Sequence, residues 1–179
     1  MDIRQILTEK KEELGLWQIG FTTTDMLQFK DEVRKLCEVN YCGHYGKTWA
    51  CPPGVGTVEE CKARALKYKN VFVFTTKSDI EDSFDFEGMM DAKKIHDEVC
   101  DQVVAFFKTM KPDCYSLSGE SCSRCSKCTY PDAPCRFPEK LSPSVESIGV
   151  QVSDLAKTVN VNYINGQNTV TYFGCILYN

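Results

Sequence analysis

Asn70-Val71-Phe72-Val73-Phe74 is the stretch of sequence that most directly decides the fold. Its last four residues form an uninterrupted apolar run bounded by turn residues. Such runs are typical of strands that are buried on both faces. The run therefore predicts a strand in the centre of a sheet.

The chain before this strand is predicted to form helices and one strand. Apolar residues at helical spacing indicate a helix over residues 3–14, and alternation indicates a half-buried strand over residues 17–21. A second helix is predicted over residues 31–39. Thr57-Val58-Glu59-Glu60 has the form of a capping box, in which the Thr hydroxyl and the Glu carboxylate satisfy free backbone donors. A third helix should begin there and continue to Tyr68.

The chain after the central strand contains a long helix, a cysteine-rich loop, a short helix and a final strand. An apolar stripe marks the long helix over residues 89–110, and a short helix is predicted over residues 152–159. Asn165-Gly166 lies between apolar stretches at 161–164 and 169–178. This arrangement is a strong signal for a β-hairpin that ends the chain.

These elements predict the fold class. Strands and helices interleave without a strict βαβ rhythm, and 42% hydrophobic residues in a chain of 179 are enough for one core. We expect a single domain over residues 1–179, of the α/β or α+β class. Its sheet should be mixed or largely antiparallel, with helices and two cysteine-rich metal-binding loops.

The charge pattern argues against two classes of partner. Lys and Arg number 21 and Asp and Glu number 25, which gives a net charge of −4 without a basic run. We therefore expect neither a nucleic acid nor a membrane as partner. The N-terminus lacks the pattern of a signal peptide, and no apolar window has the length of a membrane span. A cytoplasmic location is expected.

Eleven cysteines are an unusual number for a chain of this kind. Reducing conditions in the cytosol keep thiols from forming structural disulfides, so another use is expected. The cysteines fall into two groups and a scattered remainder. The first group is Cys37, Cys42 and Cys51, and the second is Cys122, Cys125, Cys128 and Cys135.

The second group is the most specific signal in the chain. Cys122-Ser123-Arg124-Cys125-Ser126-Lys127-Cys128 is a C-x2-C-x2-C run, and three evenly spaced thiols can hold three corners of an iron–sulfur cubane. A single zinc ion usually needs only a close pair, with its partner pair farther away. Cys135 follows after six residues, a longer gap than in the bacterial ferredoxin pattern. Because the fourth Cys of that pattern ligates the other cluster, Cys135 could serve either site. A structural zinc site made by the same four cysteines is the alternative.

The first group supplies three local cysteines, so its fourth metal ligand is left open. Cys61, His44 and a ligand from outside the chain are candidates for that position. Cys100 and Cys175 lie on apolar faces and are expected to be core residues. Cys114 is undecided, and His96, on a mostly charged turn, needs no function.

Three motifs carry a resemblance to a known family. They are Cys37…Cys42-Gly43-x-Tyr45-Gly46-Lys47…Cys51-Pro52-Pro53, then Cys122-x2-Cys125-x2-Cys128…Cys135-x2-Pro138, then Pro143-Ser144-Val145-Glu146-Ser147-x-Gly149-Val150-x-Val152. In this order they resemble a cysteine-rich prokaryotic family of predicted metal-binding proteins, domain of unknown function 2284. The resemblance implies that the seven cysteines of the two groups are the family-pattern cysteines. It implies a bacterial or archaeal source and metal binding, but no substrate.

The metal type and the spacing together favour one function. The expected cofactor is an iron–sulfur cluster of the [4Fe-4S] type, one or two per chain, in an electron-transfer protein or a small redox enzyme. Its partner would be a redox protein or a small molecule. The alternative is a non-catalytic binding module stabilised by zinc. Catalysis by a cysteine nucleophile ranks last, because neither His44 nor His96 has an obvious orienting partner in the sequence.

Overall fold

The structure is a computed structural model, and it describes residues 2–179. The helices are α1 (Ile3–Glu9), α2 (Asp31–Val39), α3 (Val58–Ala65), α4 (Phe86–Met110) and α5 (Val152–Thr158). The strands are β1 (Ile19–Thr23), β2 (Asn70–Asp79), β3 (Cys114–Leu117) and β4 (Thr169–Tyr178). Short turns of 3₁₀-helix lie at Thr24–Met26, Pro138–Lys140 and Glu146–Ile148.

The four strands form one sheet in the order β1-β2-β4-β3, and every neighbouring pair is antiparallel. β2 and β4 pair along their whole length, from Asn70 opposite Tyr178 to Asp79 opposite Thr169. The predicted central position of the apolar run in β2 is confirmed. The protein belongs to the α+β class with an antiparallel sheet, as expected.

Each face of the sheet carries its own apolar core, because side chains alternate between the faces along a strand. On one face Val71 and Val73 pack with Cys175 and with residues of α3 and α5. On the other face Phe72 and Phe74 pack with residues of α1 and α4. Burial of both faces explains why the sequence of β2 is continuously apolar rather than alternating.

Two of the predicted helix starts are confirmed in detail. α2 covers Asp31–Val39 as predicted, with Val33 buried and Leu36 largely exposed. The capping box at the start of α3 is present, with Glu60 N–H donating to the Thr57 hydroxyl at 3.1 Å and Thr57 N–H donating to the Glu60 carboxylate at 2.8 Å. α3 then ends at Ala65, and the chain reaches Tyr68 through turns.

The first helix is shorter than predicted. α1 ends at Glu9, and residues 10–15 continue as hydrogen-bonded turns in which Leu14 N–H donates to the Lys10 carbonyl at 2.9 Å. Gly15, with φ of 71°, then turns the chain towards β1. A glycine tolerates this left-handed conformation without steric cost.

The predicted terminal hairpin is wrong. Residues 161–164 form no strand, because β4 already pairs with β2 on one side and with β3 on the other. The turn before β4 lies at Gln167–Asn168 rather than at Asn165-Gly166, and the Asn165 side chain donates to the Thr171 hydroxyl at 2.9 Å. The partner that the sequence pattern failed to indicate is β3, a strand of four residues after α4.

Within residues 2–179, none of the helices combines the length and the apolar character needed to cross a lipid bilayer.

Adding a methyl group at Gly174 should test how tightly the core between the sheet and helices α1 and α4 is packed. Gly174 pairs with Phe74, and a Cβ at position 174 would overlap the Phe74 ring. Because that ring is fully buried, Gly174→Ala should lower the free energy of unfolding by about 1–3 kcal/mol. Urea unfolding measures the effect, with Ser78→Ala near the end of β2 as the control that adds no atom to the core. Equal stability of the two variants would show that the ring is free to move aside.

Candidate metal centre

The second cysteine loop, residues 119–138, leaves the sheet at the end of β3. Its base is closed by two backbone hydrogen bonds, from Ser118 N–H to the Pro143 carbonyl at 2.8 Å and from Val145 N–H to the Ser118 carbonyl at 3.0 Å. The loop is therefore tied to the apolar core at both ends, although its own sequence is rich in Ser, Gly and Pro.

The four cysteines of this loop line one small cavity, of about 20 Å³, which we call the four-thiol cavity. They are Cys122, Cys125, Cys128 and Cys135. Burial raises the pKa of the Cys122 thiol; the backbone and charge of Arg124 lower this pKa, and the nearby Cys135 and Cys125 raise it further. Cys135 and Cys125 therefore lie within electrostatic reach of Cys122.

A hydroxyl from elsewhere in the chain also lines the four-thiol cavity. Thr48 is 8% exposed, and within residues 2–179 its Oγ1 has no hydrogen-bond partner. A buried hydroxyl without a partner is costly, so it calls for a ligand that the protein itself does not supply. Four soft thiols and one free donor fit a thiolate-bound metal group.

Charged groups on α4 hold the second cysteine loop in place. Both terminal nitrogens of the Arg124 guanidinium donate to the Asp101 carboxylate, and the Ser123 hydroxyl donates to the Asp97 carboxylate at 2.7 Å. Arg136, the other arginine of the loop, donates to the Lys127 carbonyl at 2.8 Å. Arg124 and Arg136, which lie among the thiols in the sequence, therefore help to fix the loop.

The first cysteine loop, residues 40–57, follows α2. Asn40 ends the helix with a φ of 61°, and its side chain accepts a hydrogen bond from Tyr45 N–H at 3.0 Å. Of the three cysteines of the first group, Cys51 is buried, Cys37 is half-buried and Cys42 is exposed. Burial raises the pKa of Cys37, which Arg34 lowers and the neighbouring Cys51 and Cys42 raise.

The two cysteine loops contact each other directly. The indole nitrogen of Trp49 donates to the Ala133 carbonyl at 3.0 Å, and its ring meets Tyr130 edge to face at 4.9 Å. The Cys51 thiol donates to the Ser121 hydroxyl at 3.3 Å. The two groups of cysteines, about 70 residues apart in sequence, thus lie in one region of the surface.

The ligand assignment itself stays a prediction. In the part of the chain that the structure describes, no three His, Cys, Asp or Glu side chains are gathered as the ligands of one metal ion. Among the scattered cysteines, Cys175 is buried in the core as expected. Cys61, a candidate for the fourth ligand, is buried as well, and its thiol donates to the Val55 carbonyl at 3.6 Å. His44 is exposed on the first cysteine loop.

One buried polar cluster was missed by the sequence analysis. His96, expected on a charged turn, is fully buried in α4; its Nδ1 lies 2.9 Å from the Thr76 hydroxyl and its Nε2 lies 3.2 Å from the Cys100 thiol. Burial lowers the pKa of His96 to about 4 and raises the pKa of Cys100 to about 12. Both groups are therefore neutral at pH 7. The spacing of Ala92, His96 and Cys100 along one helical face was the available signal.

The fold and the two cysteine loops define a cysteine-rich α+β protein in which two adjoining loops carry the candidate metal ligands. The chain belongs to the family of predicted metal-binding proteins described as domain of unknown function 2284, whose sequence model matches residues 21–178. None of the curated proteins compared with the chain matches it.

Two solved structures show a distant likeness. One is epoxyqueuosine reductase from Bacillus subtilis, at 12% identity and a TM-score of 0.45. The other is a selenomethionine-labelled epoxyqueuosine reductase, at 12% identity and a TM-score of 0.46. Each match covers 97% of this chain and 45% of the other, so the chain spans less than half the length of these reductases. A likeness this distant assigns neither a fold nor an activity.

The buried His96 should make stability depend on pH. The unfolded chain binds a proton at this side chain below about pH 6.5, whereas the folded protein does so only near pH 4. Between these values the unfolded state holds the extra proton, so His96 by itself lowers the free energy of unfolding as the pH falls, by up to about 3 kcal/mol. Burial raises the pKa of Glu146 to about 7, and this carboxyl acts in the opposite direction. The difference between the unsubstituted protein and His96→Gln in urea unfolding from pH 7 to 4 therefore isolates the contribution of His96.

His96→Gln removes the titrating group, so its stability should fall less over the same pH range. His44→Gln, at the exposed histidine, should follow the unsubstituted protein. If His96→Gln loses as much stability as the unsubstituted protein, the imidazole is not held neutral by the fold.

Proposed function

We propose that Cys122, Cys125, Cys128 and Cys135 bind an iron–sulfur cluster of the [4Fe-4S] type, and that the protein serves electron transfer or a small redox reaction. One observation carries the proposal: the four thiols line a single cavity, and three of them come from one C-x2-C-x2-C run. That spacing suits three corners of a cubane. Membership of a predicted metal-binding family supports the coarser part of the proposal, that the chain binds a metal.

The chain's own residues have distinct parts in such a site. A bound cluster would supply a centre that takes up and releases electrons. The Thr48 hydroxyl is free to donate to a sulfur, and hydrogen bonds of this kind help to set a cluster's potential. Trp49, Phe137 and Leu141 line the same cavity and limit the access of water. The ion pair from Arg124 to Asp101 fixes the loop against α4.

We further propose that Cys37, Cys42 and Cys51 bind metal at a second site. Cys51 and Cys42 raise the pKa of Cys37, so the three thiols lie within electrostatic reach of one another. Of the candidates for the fourth position, Cys61 already donates its thiol hydrogen to Val55 within the core and His44 is exposed. The fourth position stays open among Cys61, His44 and a ligand from outside the chain, and an outside ligand would give a small redox enzyme rather than a carrier alone.

A zinc-stabilised binding module is the second candidate function. The small volume of the four-thiol cavity favours it, since a single ion needs less room than a cubane. Zinc has no redox chemistry and absorbs no visible light, whereas an iron–sulfur protein is coloured. Protein purified without oxygen separates the two candidates: a visible band that bleaches with dithionite supports the cluster, and colourless protein with stoichiometric zinc excludes it.

Two cysteine substitutions should have opposite consequences. Cys125→Ser removes a thiol that lines the four-thiol cavity, so the iron of the second loop should be lost. Cys175→Ser puts a hydroxyl into an apolar core, so iron should be retained while the free energy of unfolding falls by about 1–3 kcal/mol. Iron analysis and thermal melts of both variants test this. Full iron in Cys125→Ser together with iron loss in Cys175→Ser would reverse our division between ligands and core.

Removal of the metal should loosen the second cysteine loop. The loop has few apolar residues, so without its metal it depends on polar contacts such as that between Arg124 and Asp101. After chelation, trypsin should cut faster at Arg124, Lys127 and Arg136. Lys108, on the surface of α4, serves as the internal control and should be cut at the same rate with or without metal. Equal rates at the loop sites before and after chelation would mean that no metal holds the loop.

A further inference from the structure

A second and larger cavity, of about 760 Å³, adjoins the four-thiol cavity. Trp49, Cys135 and Leu141 line both cavities, so they form a shared wall. A volume of this size lies within the usual range for small-molecule sites. Any molecule bound there would lie beside a thiol of the proposed cluster.

The walls of this cavity are unusually rich in proline. Five of the seven prolines of the chain line it, namely Pro112, Pro131, Pro134, Pro138 and Pro143. Proline has a fixed φ and no N–H group, so such walls are stiff and carry few donors. Stiff walls lose little conformational entropy when a flat molecule binds between them.

The aromatic side chains of the cavity are held in fixed positions. Trp49 is anchored to the Ala133 carbonyl and against the Tyr130 ring. Tyr115 comes from β3, and its hydroxyl accepts a hydrogen bond from Arg64 at 3.4 Å. Arg64 is fixed in turn, since its other terminal nitrogen donates to the Val55 carbonyl at 3.2 Å.

The Tyr115 hydroxyl has a hydrogen left to donate. It accepts from Arg64, and among residues 2–179 no acceptor is found for its own hydrogen. The cavity therefore presents a directed donor, backed by a cation, beside its aromatic and proline walls. Three charged side chains, which are exposed, also line it: Lys108, Asp132 and Glu139. The matching ligand group is an oxygen acceptor on a flat ring, and the nearby Arg64 charge favours an oxygen that carries partial negative charge.

We propose that this cavity binds a planar, conjugated ring that bears a carbonyl oxygen, such as a quinone, with the oxygen on Tyr115 and the ring between Trp49 and the prolines. The inference rests on the proposed function in one respect, because it identifies this ring compound as the small-molecule redox partner. Binding by itself requires no electron transfer, so it can be measured separately.

A pair of matched ring compounds tests the proposal on the unsubstituted protein. The probe is a dimethylnaphthoquinone whose free quinone positions are both methylated, so that thiols do not add to it, and the control is dimethylnaphthalene. Equilibrium dialysis against oxidised protein under argon should show the quinone bound at least ten-fold more tightly. Equal binding of the two compounds, or binding of neither, would overturn the proposal.

A pair of matched variants then tests the assigned donor. Tyr115→Phe keeps the ring and removes the hydroxyl, so quinone binding should weaken about five- to ten-fold while hydrocarbon binding stays the same. Tyr68→Phe is the control: its ring stacks on Tyr115 at 6.4 Å, but its hydroxyl donates to Asp113. Undiminished quinone binding by folded Tyr115→Phe, or an equal loss in Tyr68→Phe, would refute the assignment.

Iron analysis of the same samples separates the two proposals. Selective quinone binding by protein that holds no iron would overturn the proposed function and leave the cavity assignment standing. Iron-replete protein without quinone binding would overturn the cavity assignment alone. If Tyr115→Phe does not fold, the comparison of the two ring compounds on the unsubstituted protein still decides.

Discussion

The pairing of β2 with β4 over ten residues is the constraint on which the rest of the structure depends. It places the continuous apolar run of β2 in the middle of the sheet, so both faces must be covered. α1 and α4 cover one face, and α3 and α5 cover the other. β4 also carries β3 on its far edge, and β3 leads directly into the second cysteine loop. The position of the second cysteine loop is thus set by the core, although none of its four cysteines is buried there.

The second cysteine loop illustrates how a polar segment is held beside such a core. Hydrogen bonds at Ser118 close its base, α4 holds Arg124 through Asp101, and Trp49 reaches it from the first loop. These contacts are few and partly exposed, and each is worth little free energy by itself. A metal group bound to four thiols would add a binding energy that is coupled to the order of the whole loop. Such coupling would keep the loop ordered although it has few apolar residues.

The sequence indicated the parts of the fold that depend on local patterns. The burial of residues 71–74, the extent of α2 and the capping box of α3 follow from residues that are neighbours in the chain. The terminal hairpin was wrongly predicted because strand pairing depends on competition among distant strands, and β3 was too short to be noticed. His96 was misjudged for a similar reason, since its partner Thr76 lies on another element. Cysteine spacing suggested the candidate ligands, but the contact of the two loops through Trp49 could come only from the structure.

The central claim is that the four thiols at Cys122, Cys125, Cys128 and Cys135 hold iron together with inorganic sulfide. The most direct measurement is the iron and acid-labile sulfide content of protein purified without oxygen. Iron and acid-labile sulfide are expected in equal amounts in the unsubstituted protein. Protein that carries zinc, or iron without acid-labile sulfide, would contradict it.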